Sequence, residues 1–421
     1  MIRSTLAQNG LALSLATVLG CSSGAESEPP IEPEPEAWPE AICIDEPLPD
    51  APLLDVVDET FVVGPYLMHT TTDAAVVMWQ TETPCGAEVR YGANADALSE
   101  TVSAAEPATL HELELTGLSP GERVYYQATS CNLEAEVLDF YAAPEPGSAI
   151  RFTVWGDSQS NPPQASATAA AMLQRRPTLS LHVGDTVGDG SVDQQWIDEF
   201  LVPLRPLGHH VPTYVAIGNH EGNDPNFFER VSYPESVVGE PGAESTYAFT
   251  YGNAFFLVVD TNQLFYDVDL GAGELLETPI SRWIKETLAT DAARTARWRF
   301  AFGHEPAITE SWSPGACDNY DGNDHVRGWL FGLLSSHHFS AYFSGHTHAY
   351  ERGMLDGVLH VISGGGGGGL DEWCSDVPET EVVELVHHYL EVEADCDSAT
   401  VTAYRTDDDQ VLDSVALEPA P

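Results

Sequence analysis

Five polar segments of this chain each begin with a glycine at the point where an apolar, strand-forming run stops. They are Gly156-Asp157-Ser158-Gln159, Gly184-Asp185, Gly218-Asn219-His220-Glu221, Gly303-His304-Glu305-Pro306 and Gly345-His346-Thr347-His348-Ala349-Tyr350-Glu351-Arg352. The runs before them cover residues 152–155, 179–183, 214–217, 298–302 and 341–343, with a further strand expected at 255–259. A glycine lets the chain turn sharply out of a sheet, and the residue after it then points into the crevice beyond the strand end. Helical patterns at 165–174 and 194–204 alternate with the strands, which predicts an α/β layered domain over residues 150–415 with its ligands beyond the strand ends. Together the segments offer two Asp, one Asn, one Gln and three His as candidate metal donors, with His220 beside them. This all-nitrogen-and-oxygen donor set suits two divalent metals, and the absence of any Cys-x-x-Cys pair argues against thiolate zinc.

Charge leads to the same centre by another route. The 421 residues carry 66 Asp plus Glu against 16 Lys plus Arg, a formal charge of −50, and Lys285 is the only lysine. Nucleic acid binding is not expected of such a surface, because phosphate backbones are held by clustered Lys and Arg. Any anionic substrate has to be captured by a strong local positive centre, and a metal ion is the obvious candidate. With 43% apolar residues the chain can bury large cores, enough for two folded domains.

The N-terminal region reads as export machinery. Arg3 precedes an apolar run at 11–19 that is too short to span a bilayer and has the layout of a signal peptide. Its ending, Val18-Leu19-Gly20-Cys21, resembles a bacterial lipoprotein box in which Cys21 is lipidated, so residues 1–21 are expected to be a signal peptide and the chain an exported, cell-envelope lipoprotein held to the membrane only through that lipid. The six remaining cysteines, an even number in an exported chain, suggest disulfides. Residues 22–60 contain twelve acidic residues, no basic ones and eight prolines, the composition of a stiff, extended linker.

Short strands with turn signals follow, at 75–80, 87–91, 111–115, 123–129 and 137–141, and read as a small antiparallel sandwich over 61–145. Gly64-Pro65-Tyr66, Trp79 and Tyr91-Gly92 make it similar to the fibronectin type III-like domain that precedes the catalytic domain of purple acid phosphatases. The five glycine-led segments resemble the calcineurin-like metallophosphoesterase superfamily, and the Tyr-Glu-Arg ending at Tyr350 to Arg352 resembles its purple acid phosphatase branch. The fold implied is an N-terminal all-β, fibronectin III-like sandwich followed by an α/β metallophosphoesterase domain, a layered β-sandwich flanked by helices.

The resemblance also implies roles. Asp157, Gln159 and His348 would hold one metal, Asp185 would bridge, and Asn219, His304 and His346 would hold the second. His220 matches the phosphate-contacting histidine, His325 is a candidate general acid by location, and Tyr350 and Arg352 are expected to support the metal histidines. Cys85 would pair with Cys131; the pairing of Cys43, Cys317, Cys374 and Cys396 stays open, Cys317 with Cys374 on the rim of the site being one choice, which would leave Cys43 with Cys396. Purple phosphatases carry a tyrosine three residues after the bridging Asp, where this chain has Gly188, so a ferric-tyrosinate centre is not expected and Mn²⁺, Fe²⁺ or Zn²⁺ are the candidate ions. The six glycines Gly364 to Gly369 lack the Lys of a phosphate loop and read as close backbone packing beside the site. His182, His209, His210 and Asp189 read as structural.

The expected activity is hydrolysis of small phosphomonoesters by a hydroxide presented between two metals. A phosphodiesterase or nucleotide hydrolase of the same fold is the alternative. A catalytically inactive surface adhesion or scaffold protein is the rival of another class.

Overall fold

The computed structural model describes residues 38–44, 60–234, 236, 244–262, 278–317 and 320–419. The signal segment, Cys21 and most of the acidic linker lie outside them. Residues from Pro39 onward group into one compact unit. Within it Ile42, Cys43 and Ile44 are not a free tether. Ile42 N donates to Thr295 O, Ile44 N donates to Gly147 O, and Cys43 is bonded to Cys396.

The first six strands, β1 (Val63–Thr70), β2 (Ala74–Gly92), β3 (Glu100–Thr116), β4 (Arg123–Ser130), β5 (Leu133–Glu134) and β6 (Leu138–Tyr141), form one branched antiparallel sheet. The runs read as separate strands at 75–80 and 87–91 are one 19-residue strand. Pairing with β3 carries β2 across the Thr81–Gly86 stretch, with register shifts on either side of Cys85 that absorb Pro84. Alternate residues of β2 and β4, such as Val77, Trp79, Val89, Tyr126 and Ala128, are buried in a core of their own. Cys85 is bonded to Cys131 across β2 and the end of β4. Buried hydrogen bonds link this sheet to the rest of the unit: Tyr126 Oη donates to His209 O and Tyr66 Oη to Arg230 O.

Two further sheets stack face to face over the remaining chain. One has the order β21-β20-β19-β7-β8-β9, built from β7 (Ile150–Trp155), β8 (Leu179–His182), β9 (Thr213–Val215), β19 (His388–Ala394), β20 (Ala399–Arg405) and β21 (Val411–Leu417). The other runs β10-β11-β12-β14-β16-β15-β18, from β10 (Tyr247–Tyr251), β11 (Ala254–Val258), β12 (Trp298–Phe302), β14 (Ala341–Ser344), β15 (Tyr350–Leu355), β16 (Val358–Ser363) and β18 (Thr380–Glu384). Phe152 of the first sheet meets Phe256, Phe300 and Phe343 of the second, edge to face at 5.3, 5.3 and 6.2 Å. Strands β19 and β20 extend the sheet from β7, and β21 forms its edge.

Helices cover the outer faces. Pro162–Leu173 starts with proline in its first turn and buries Ala165, Ala169 and Met172. Pro279–Leu288 opens with a capping box between Thr278 and Ser281 and buries Ile280, Ile284 and Leu288, a four-residue spacing that puts one apolar stripe on the sheet. Strands β7, β8 and β9 are mutually parallel, as are β11, β12 and β14. Their registers set Trp155 beside His182 and Val215, and Phe302 beside Phe343, so the carboxyl ends of both sheets finish at a common level.

Candidate metal centre

All five glycine-led segments leave from those carboxyl ends, and their side chains meet. Asp157, Asp185 and His346 have φ of 55°, 55° and 68°, the left-handed region that L-residues with side chains rarely occupy. Each such residue costs about 1–3 kcal/mol and persists only where its surroundings demand it. Two glycines allow the approach. A Cβ on Gly218 would lie 2.2 Å from Asp185 Oδ1, and one on Gly345 2.2 Å from Asp157 Oδ2.

One cluster gathers Asp185, Asn219, His304 and His346. His304 Nε2 lies 3.2 Å from Asp185 Oδ2, 2.9 Å from Asn219 Oδ1 and 3.1 Å from His346 Nδ1, which is itself 2.8 Å from Asn219 Oδ1. The ligand atoms of Asp185, His304 and His346 all fall within 4.8 Å of one another, the reach of a single cation. His304 Nδ1 lies 2.9 Å from Val183 O, which fixes the ring and leaves Nε2 for the centre. The second cluster is Asp157, Gln159 and His348. His348 Nε2 lies 3.5 Å from Asp157 Oδ1 and 3.4 Å from Gln159 Nε2, while its Nδ1 is engaged by Gly369 O. Gln159 Oε1 is buried and has no hydrogen-bond partner among the described residues. An orphan buried acceptor costs about 1–3 kcal/mol, so the donor set fits a cation that this oxygen would reach.

The electrostatics of these groups is tightly coupled. Burial pushes the Asp157 carboxyl up. Burial acts the same way on Asp185, but His304 and His220 override it and hold that carboxyl well below the usual range. Burial pulls His304 and His348 down, and their facing carboxylates Asp185 and Asp157 more than reverse it. Protons and metal ions therefore compete for the same imidazoles.

Carboxylates around the clusters fix their loops. Glu221, fully buried, accepts from Gly218 N, Asp185 N, Thr186 N and Thr186 Oγ1 at 2.5, 3.1, 2.6 and 2.7 Å. Glu305 accepts a 2.5 Å hydrogen bond from Tyr320 Oη, and its other oxygen lies 3.9 Å from His346 Nε2. Asp371 accepts from His348 N at 2.8 Å. Reading the sequence picks out none of these three as anchors. The glycine run packs as expected, since Gly368 N donates to Asp157 O and a Cβ on Gly364 would meet Thr347 O at 2.0 Å.

A cleft of about 690 Å³ opens over the clusters, lined by Asp185, Asn219, His220, His346 and His348 together with Trp312, Tyr320 and Asp371. His220 Nδ1 is 2.7 Å from Gly188 O and its Nε2 3.9 Å from Asp185 Oδ2. His325 is not among the lining residues; it stands at the start of the helical segment Val326–Leu330. Tyr350 and Arg352 do not reach the histidines either. Both lie on β15 and donate to Asp413 on β21, and Arg352 also reaches Glu381, because the strand carries them away from the cleft toward the neighbouring sheet. His182 is structural as read, buried with its Nε2 3.0 Å from Ser158 Oγ.

Comparison with known proteins accords with this geometry. Residues 150–350 match the calcineurin-like phosphoesterase family. A nucleotide pyrophosphatase/phosphodiesterase of Hordeum vulgare is 25% identical over 291 residues, 59% of this chain and 77% of that one. The probable inactive purple acid phosphatase 1 of Arabidopsis thaliana is 23% identical over 351 residues, 71% of this chain and 54% of that one. Among solved structures, a purple acid phosphatase from yellow lupin (Lupinus luteus) seeds superposes with a TM-score of 0.69 at 18% identity, covering 84% of this chain and 74% of that one. Residues 150–350 thus carry the calcineurin-like phosphoesterase match, and the chain is similar in fold to a purple acid phosphatase.

Proposed function

We propose that this protein hydrolyses phosphate esters, phosphomonoesters foremost, at a pair of divalent cations. The observation that carries the reading is Asp185, whose carboxylate faces the His304 cluster while the Asp157 cluster converges beside it. In this reading Asp157, Gln159 and His348 hold one ion, Asn219, His304 and His346 the other, and Asp185 serves both. Bound there, two such ions would act as Lewis acids on the phosphoryl oxygens and make water nucleophilic near neutral pH. His220, half-exposed and fixed by donating from Nδ1 to Gly188 O, turns Nε2 toward the cleft, where as an imidazolium it would donate to a phosphoryl oxygen. Glu221, Glu305 and Asp371 orient the ligand loops, and His325, which does not line the cleft, is given no role in this reading.

A diesterase reading is favoured by one finding, the barley relative's name, and the same assay separates the two. The names of Arabidopsis relatives include the word inactive, yet every residue of the proposed ligand set is present here. Hydrolysis of aryl monoesters and diesters is to be measured with Mn²⁺, Zn²⁺ and Fe²⁺ beside Asp185→Asn, together with elemental analysis of the native protein. A monoesterase lost in Asp185→Asn is expected. A wild type and variant equally inert with every metal would overturn the reading. A tyrosinate-to-iron absorption band would overturn the divalent assignment.

We also read residues 61–145 as a fibronectin III-like module ahead of the catalytic domain at 150–415, and Cys21 as the site of a lipid anchor. The three disulfides fit an oxidising, extracytoplasmic compartment. Mass spectrometry of the N-terminal peptide tests the anchor: an unmodified Cys21 in the protein from its native host would refute it.

A further inference from the structure

The loop carrying Trp312 is held more firmly than a connecting loop needs to be. Ser311–Trp312 forms a short strand, β13, that pairs with Glu372–Trp373, β17. Cys317 is bonded to Cys374 just beyond that pair. From beneath, the buried carboxylate of Glu351 accepts from Glu310 N, Ser311 N and Thr309 Oγ1 at 2.8, 3.0 and 2.9 Å. Three independent ties of this kind hold the backbone from which the Trp312 side chain projects.

What they fix is an aromatic face at the cleft. The Trp312 ring lies 4.5 Å from the Tyr320 ring and 5.1 Å from the imidazole of His346, and both aromatic rings line the cleft. Among the described residues no Lys or Arg lines the cleft, and Asp371, which accepts from His348 N, adds a carboxylate to it. Beyond the phosphoryl position, then, the cleft offers a π surface and no cation. A polyphosphate or acidic group finds no partner there, whereas a flat, neutral ring finds a pre-ordered one.

We propose that Trp312 is the specificity-determining residue of this cleft, a fixed stacking platform for a flat, uncharged aromatic group esterified to the phosphate. The inference rests on the phosphoesterase reading above, and its test keeps the two apart. Steady-state kcat and KM are measured for phenyl and naphthyl phosphate against methyl and glycerol phosphate, with wild type, Trp312→Phe and Trp312→Leu. Comparing each substrate between enzymes cancels the intrinsic reactivity of the leaving groups. Calorimetric binding of phenylphosphonate against methylphosphonate gives a readout without turnover.

A stacking contact of ordinary strength predicts that Trp312→Leu raises KM for the aryl esters about fivefold to tenfold while leaving the alkyl esters within about twofold. Trp312→Phe keeps most of the aryl preference, and the phosphonates follow the same ratio. Equal losses on both substrate classes, or an aryl preference that survives Trp312→Leu, would overturn the proposal. A wild type inert towards every ester counts against the phosphoesterase reading instead, and the phosphonate titration then decides on Trp312 alone.

Discussion

Replacing Glu221 with Gln removes one charge from the interior and tests whether a single carboxylate sets the geometry of the candidate centre. Each oxygen of Glu221 takes two donors: Oε1 those of Thr186, Oε2 those of Gly218 and Asp185. An amide keeps one oxygen for two of them and turns its NH₂ toward the other two. Hydrogen bonds to a charged group contribute about 1.5–3 kcal/mol each, so losing two costs about 3–6 kcal/mol. Burial and the Asp185 charge already raise the Glu221 pKa, and removing that strain offsets part of the loss. A net cost of about 2–4 kcal/mol remains, concentrated in the loops that carry Asp185 and Asn219. Groups behind metal ligands typically change affinity by about 10–100-fold. Zinc or manganese titration of the chelator-treated protein is expected to show a loss in that range, with a lower denaturation midpoint. If the midpoint falls while metal affinity stays at the wild-type value, Glu221 is merely a structural residue and the positioning argument is wrong.

Gly345→Ala drives a methyl group to 2.2 Å from Asp157 Oδ2, so the carboxylate must move, and metal affinity should drop at least tenfold while the far-ultraviolet circular dichroism is unchanged. Gly332→Ala is the control, because a Cβ there meets nothing within 4 Å in the helix Phe331–Ser336. Asp139 supplies a pH test: burial raises its pKa, but His210 and Arg123 more than reverse this, leaving it below the ordinary carboxylate value. Its stabilising contribution is therefore complete above the unfolded value of about 3.9 and is lost as pH falls through the lower folded value. The stability gap between wild type and Asp139→Asn should close below about pH 4 in chemical denaturation series.

What the sequence made legible was local. Asp157, Asp185, Asn219, His304 and His346 each stand one residue after a glycine that ends an apolar run, so strand, turn and ligand are written within a few positions. The parallel registers then convert five local signals into one site. What stayed hidden depends on partners far along the chain. Arg352 was read as a support for histidines four and six residues before it, yet its carboxylate lies 61 residues on, at Asp413. Trp312 and Tyr320 belong to a loop whose path is set by β17 and Cys374, and no local pattern announces either contact. His325 was placed by its position between motifs, which fixes sequence order and not direction.

Gln159 decides whether the two proposed sites are equal. Asp185 is common to both, so the comparison turns on the rest: Asn219 with two imidazoles on one side, Asp157 with one imidazole and an amide on the other. Imidazole suits zinc and iron, whereas a neutral amide oxygen is a weaker, harder donor. The amide at Gln159 also leaves its oxygen buried without a partner and its nitrogen 3.4 Å from His348 Nε2, an arrangement that improves when a cation draws the oxygen inward. The Asn219 site should therefore fill first with Zn²⁺, and the Asp157 site at least tenfold more weakly. Gln159→His replaces the amide with an imidazole and should raise the second affinity toward the first without altering it. Two indistinguishable binding steps in the wild type, or a second step unmoved by Gln159→His, would show that Gln159 is no ligand and that its orphaned oxygen has another cause.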